Sequence, residues 1–245
     1  DAGDRYLMKD FLQDWGKDHM DDKADEPDAL MVTMHGGNGL DGRWTGSARV
    51  NEYGDDGSLN NCGTWQGHME FGDTDLEFLH LSSCTSMDED DWYPNWSSSF
   101  KGVHQIDGFH GLMYISPGYI DDYRDFADDA FDTSIGVSWV ENPYDFRSAG
   151  RNQCPVALGA GVGANGQSSA WDRLTHERYD NVYSDPTTPS WYGVVWVEGC
   201  DPKSGFPLPT NDGATALPSA PSPPAKAQEG RSAARIAPDE LPPID

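Results

Sequence analysis

The sequence predicts an α/β domain with a mostly parallel sheet over residues 1–207, followed by a Pro/Ala-rich tail at 208–245. Three observations predict it. Short apolar runs of strand length, bounded by glycines and small polar residues, recur along the chain. Segments with helical spacing of apolar residues lie between them. After Phe206 no aromatic residue occurs, and Pro218-Ser219-Ala220-Pro221-Ser222-Pro223-Pro224 is the densest proline run of the chain. Such a composition buries too little apolar area to offset the entropy of ordering it.

The elements follow in order. Tyr6, Leu7, Phe11, Leu12 and Trp15 recur at helical spacing, so residues 6–24 read as an amphipathic helix. Leu30-Met31-Val32-Thr33-Met34 reads as a buried strand that ends at His35-Gly36-Gly37. Residues 43–50 read as a short exposed strand, and the Gly/Asn/Asp-rich stretch 51–68 as loop. A second buried strand is predicted over 76–81, ending at Ser82-Ser83-Cys84-Thr85-Ser86, and a third over 103–109. Between them, 92–100 is a turn or short helix. Tyr119, Ile120, Tyr123, Phe126, Ala127, Ala130 and Phe131 line one side of a surface helix over 119–131, whose other side is rich in Asp. Residues 135–141 are either helix or strand. Residues 155–161 and the β-branched, aromatic run 191–197 complete the strands. In open α/β sheets, function gathers at the carboxyl ends of strands, where His35 and Cys84 both fall.

The formal charge of −26, with Asp outnumbering Glu 32 to 10, argues against nucleic acid and anionic lipid as partners. A peptide or protein is the expected partner. No run approaches eighteen apolar residues, so no membrane span is expected. The first residue is Asp1 and no signal peptide is visible, which leaves the compartment open, export included. Four cysteines are too few for a disulfide scaffold, and none forms a C-x-x-C pair. Cys154 and Cys200 flank strand ends and would pair in an exported protein; otherwise they are small buried residues.

A cysteine nucleophile needs an imidazole that removes its proton and later protonates the leaving amine. It also needs backbone N–H donors for the developing oxyanion. His35 is followed by glycines that let a carbonyl approach the backbone, and Cys84 follows two small serines.

An apolar strand ending in His-Gly, then a second ending in a small residue and Cys, resembles the caspase, legumain, gingipain and clostripain group of cysteine peptidases. The match is nearest to divergent bacterial or archaeal members, and the 49-residue spacing (84 − 35) is close to that of caspases. Ser82-Ser83-Cys84-Thr85-Ser86 departs from the caspase signature Gln-Ala-Cys-x-Gly, so substrate preference does not carry over. The resemblance implies a three-layer α/β/α sandwich with the two motif strands adjacent. It implies His35 as general base and acid, Cys84 as nucleophile, and the Gly36 and Cys84 N–H groups as oxyanion donors. Hydrolysis, or transfer to an amine, would pass through a thioester. The alternative is a catalytically inactive binding module that keeps the fold.

For substrate selection, Asp107 and Gly108 near the third strand's end and Asp88 in the run Met87-Asp88-Glu89-Asp90-Asp91 suggest an acidic rim for a basic side chain. That run would also suit Ca²⁺, but it lacks the spacing of an EF-hand loop, and a solvated charge run is the simpler reading. His68, His80, His104 and His110 show no zinc-site spacing, so no metal or other cofactor is expected. Gly159-Ala160-Gly161-Val162-Gly163 is a poor match to a phosphate-binding loop.

Overall fold

The computed structural model describes residues 25, 27–38, 44–53, 59–66, 69–89, 95–115, 117–147, 151–210 and 231–236. The helix expected over 6–24 lies outside them. So do Trp92, His68 and most of the tail.

The fold is α/β. The strands β1 (Ala29–Thr33), β5 (Phe78–Ser82), β6 (Gln105–His110), β8 (Arg151–Val162), β9 (Pro189–Val197) and β10 (Arg231–Ile236) form one sheet in that order. A short strand, β7 (Asp145–Arg147), also pairs with β8. A separate antiparallel meander, β2 (His35–Asn38), β3 (Trp44–Tyr53) and β4 (Leu59–Trp65), interrupts the chain between β1 and β5. The sheet is not mostly parallel. β1–β5 and β5–β6 run parallel, whereas β6–β8, β8–β9 and β9–β10 are antiparallel.

Both faces of the central strands are buried, so they read as continuous apolar runs rather than alternating ones. Alternation nonetheless sorts the side chains. Phe78, Phe109, Ala157 and Val195 face one way, against Phe126 and Ala130 of α1 (Ile120–Asp132), Trp139 of α2 (Ile135–Glu141) and Leu174 of α3 (Gly166–His176). Leu79, Leu81, Ile106, Val156, Leu158 and Trp196 face the other way, against Trp44, Phe71, Trp96 and Phe100. All three described helices therefore pack on one face, while aromatic residues from turns and from β3 cover the other.

The undecided segment 135–141 is helical: Ser134 caps it through the Val137 N–H. The region 51–68 is partly strand, because Ala48 and Arg49 pair with Cys62 and Asn61. Trp44, in the segment expected to be an exposed strand, is buried in the core. The glycines 159 and 161 lie under Leu174 and Ala170 and serve helix packing, with no phosphate loop involved. Past residue 207, Leu208 is buried and its N–H reaches the Cys200 carbonyl, and β10 adds an edge strand within the tail expected to lack structure.

Buried acid sits at the start of the sheet. The Asp25 carboxylate accepts hydrogen bonds from the Gly72 and Thr74 amides at 2.6 and 2.7 Å. Burial, together with neighbouring Asp73, still pushes its pKa up to about 7. Glu77 is likewise pushed to about 7, by burial and then by Asp28, Asp75 and Asp185. An acid whose folded-state value is raised holds its proton more tightly when folded. These two groups therefore remove stability as pH climbs from about 4 to about 7. We expect the urea midpoint to fall over that range, the Asp25→Asn variant to show a flatter decline, and 1 M salt to recover part of the loss by screening. An identical pH slope in the variant would contradict this assignment.

Candidate functional site

Cys84 sits on the turn that ends β5, and that turn is heavily pinned. Ser86 Oγ donates to the Ser83 carbonyl and accepts from the Phe109 N–H, while Trp96 Nε1 donates to the Ser86 carbonyl. The Thr85 N–H reaches the Gly111 carbonyl at 2.7 Å, and Thr85 takes a positive φ of 54°, an uncommon conformation for a non-glycine residue. Cys84 is half-buried, and its thiol donates to the Met113 carbonyl at 3.4 Å.

β1 and β5 are neighbours and parallel, with Thr33 opposite Ser82. The residues that follow them, His35 and Cys84, thus emerge at one edge of the sheet. The contact between them is made by Gly36. A Cβ there would overlap Ser83 Oγ, the Cys84 carbonyl oxygen and Trp44 Nε1, so only glycine lets β2 lie this close to the turn. Trp44 Nε1 donates to the Cys84 carbonyl at 3.1 Å, and Asn38 Nδ2 donates to Asp88 at 2.9 Å from the same side of β2.

Side chains alternate along a strand. Gly36 and Asn38 face the Cys84 turn, which puts His35 on the opposite, open side together with Gly37, around whose missing Cβ there is empty space. His35 is exposed, and no hydrogen bond joins its imidazole to the Cys84 thiol.

The residues expected to select a basic side chain do something else. Asp107 is fully buried and lines no surface pocket. His80 Nδ1 donates to it at 2.7 Å and Gln105 Nε2 donates at 2.7 and 2.9 Å, while burial pushes its carboxyl up. Gly108 is buried against Ser86 and Met87. Asp88 is half-buried, and its carboxylate accepts from the Gly111 N–H at 2.7 Å as well as from Asn38. Among the described residues no group of His, Cys, Asp and Glu is arranged to hold a metal ion, and Asp90 and Asp91 lie outside them.

Three buried histidines pair with carboxylates. His80 also accepts from the Tyr179 hydroxyl at 2.7 Å and stacks on Trp139. His104 donates to Glu177 at 2.6 Å. His110 donates through Nε2 to the Phe206 carbonyl at 2.7 Å and lies 3.3 Å from Asp88. Cys154 and Cys200 form a disulfide. It fastens the segment after β9, where Lys203 O accepts from Leu112 N–H, one residue before the carbonyl that holds the thiol. The sequence reading did not assign Met113, Gln105 or Tyr179 a part here. The alternation of polar Gln105 and Asp107 within an apolar strand was the available signal.

No helix among the described residues is long and apolar enough to cross a membrane. No curated protein and no solved structure matches the chain significantly. One family does match, over residues 8–199: Domain of unknown function (DUF6345). That span takes in the β1–β5 edge, the Cys84 turn and all three helices, and the chain belongs to this family.

Proposed function

We propose that the chain is a cysteine peptidase of caspase-like architecture. The supporting observation is the parallel β1–β5 pair, which delivers His35 and Cys84 to one sheet edge with Gly36 packed on the Cys84 turn. In this reading the Cys84 thiolate attacks the scissile carbonyl carbon, and the oxyanion rests on the Gly36 and Cys84 N–H groups. The imidazolium of His35 gives its proton to the leaving amine as the C–N bond breaks, leaving a thioester. Water, deprotonated by His35, then releases the acid and restores the thiol. An amine in place of water gives transfer. The chemistry requires His35, placed just after the Met34 break between β1 and β2, to turn toward the thiol. Catalytic contacts of this kind often tighten only when substrate binds.

A non-catalytic binding module is the second reading. The outward-facing His35 and the thiol that donates to the Met113 carbonyl support it.

The deciding measurement is the alkylation rate of each cysteine by iodoacetamide between pH 5 and 9, in the wild type and in His35→Ala. For a peptidase, Cys84 reacts fast at pH 6, and the substitution lowers that rate at least tenfold. A Cys84 that follows an ordinary thiol profile in both proteins supports the binding module.

A further inference from the structure

A strap of chain crosses the loop that holds the Cys84 thiol. Its ends are fixed, by the Cys200 disulfide and buried Pro202 on one side and by buried Leu208 on the other. Residues 203–207 between them are exposed, Phe206 by 83%. Two main-chain carbonyls tie this stretch down: Lys203 O accepts from the Leu112 N–H at 3.0 Å, and Phe206 O from His110 Nε2 at 2.7 Å. Leu112 lies between Gly111 and Met113, whose carbonyls accept from the Thr85 N–H and the Cys84 thiol. Loosening the stretch thus costs hydrogen bonds rather than apolar burial.

His110, 4% exposed, stands where three parts meet. Its Nε2 faces the strap. Its Nδ1 faces the turn after Cys84, where the Glu89 N–H donates to it at 3.2 Å and Asp88 Oδ1 lies at 3.3 Å. The other Asp88 oxygen accepts from Asn38 at 2.9 Å, so the same carboxylate holds β2, the strand that begins at His35. An imidazole so placed has two discrete bonding patterns. Neutral, with its proton on Nε2, it donates to Phe206 and accepts from Glu89. Protonated, its Nδ1 becomes a donor, the Glu89 N–H loses its acceptor, and Asp88 becomes the partner. The Phe206 bond then gains charge assistance. Burial opposes the charged form, yet the bonds to Asp88 and Phe206 and the nearby Glu89 carboxylate outweigh it, so the pKa is raised. Both carboxylates belong to the Cys84 turn. The strap's own charged residues are Asp201 and exposed Lys203, and β8 sets Cys154, tied up in its disulfide, opposite His110.

We propose that His110 is a protonation-controlled positioning residue: its imidazolium fastens the strap and β2 to the Cys84 turn through one ion pair with Asp88, which the neutral form gives up. Because the folded-state value lies above the unfolded one, the fastening is complete below 6.5 and is lost as pH rises through the folded value. The consequence rests on the peptidase reading, in which His35 must turn toward the thiol: the latch restrains β2 at acid pH and frees it above.

The test is NMR on the full chain between pH 5 and 9, without substrate. The Glu89 amide and the Asn38 side-chain amide are expected to titrate together with the His110 ring, at one midpoint above the ordinary imidazole value. Hydrogen exchange of the Leu112 amide is read as a protection factor divided by that of Leu158 in the middle of β8, which cancels any global change in stability. That ratio should be about fivefold higher at pH 5.5 than at pH 8. In His110→Gln, whose amide can still donate to Phe206, both pH effects vanish. In Asp88→Asn, whose oxygen can still accept from Gly111, the His110 midpoint falls; this variant decides the matter if His110→Gln does not fold. Four results would each overturn the latch: amides that stay still through the His110 titration, a Leu112 ratio equal at both pH values, a pH dependence that survives His110→Gln, or an unmoved midpoint in Asp88→Asn. The peptidase reading is judged separately, by the effect of His35→Ala on Cys84 alkylation, so the two can fail independently.

Discussion

Replacing Asp107 with alanine is expected to cost about 3–5 kcal/mol of stability, the largest effect of any single substitution considered for this chain. The reason is what the carboxylate leaves behind. Asp107 is enclosed between β5 and β8, where His80 Nδ1 and Gln105 Nε2 donate to it. Alanine orphans both donors, one of them the His80 ring that stacks on Trp139. Asparagine is a different case. Its oxygen can still accept from His80, and the Gln105 amide can turn to present an acceptor to the new NH₂. Its cost should be about 1 kcal/mol. Urea unfolding of the three proteins separates the two effects. An alanine variant within 1 kcal/mol of the wild type would mean that the pair contributes nothing to holding the sheet.

Loss of the Cys154–Cys200 bond is the second large effect. The bond closes a loop with a sequence separation of 46, for which the chain-entropy model gives about 4 kcal/mol. For a domain of this size that corresponds to a fall in Tm of about 8–16 °C. Both cysteines are buried, so reductant should act only after partial unfolding, and Cys154→Ala/Cys200→Ala is the cleaner comparison. The bond also fastens the Asp201–Pro209 segment, whose Lys203 carbonyl steadies Leu112 beside the Cys84 turn. The double variant should therefore show faster Cys84 alkylation as well as a lower Tm. A Tm change under 3 °C would argue that the segment is held by other contacts, such as His110 on the Phe206 carbonyl.

The strand ends were legible because two signals coincide there: an apolar run such as Leu30–Met34, then glycine or serine. The adjacency of the His35 and Cys84 strands follows the expectation from the resemblance. Strand direction was not legible, since no local pattern in 155–161 or 191–197 tells parallel from antiparallel. β4 escaped notice because Asn60, Asn61 and Gly63 have low strand propensity, and its pairing with β3 overrides that. The helix α3 escaped because its core contacts reduce to Ala170, Trp171 and Leu174 among small polar residues. At the site, residue type misled. An aspartate at a strand end reads as surface; its alternation with Gln105 in an apolar strand hinted at a buried pair, but the partner His80 comes from another strand and no local pattern names it. The outward face of His35 depends on one-residue register after the Met34 break, which spacing alone does not encode.

The insertion of the β2–β4 meander between β1 and β5 also separates short-range from long-range pairing. Ala29 pairs with Phe78, 49 residues later (78 − 29), so closing that parallel pair from an open chain is entropically slow. The meander needs only near neighbours, since Thr45 meets Trp65. Once formed, it shortens the effective loop between the two strands. Gly36 belongs to the meander and the Cys84 turn to the main sheet, so the candidate centre lies on the seam between a unit of short-range pairing and one of long-range pairing. Its thiol therefore reaches its final surroundings only after both halves exist, and a partly folded chain carries the cysteine without the groups that would put it to use.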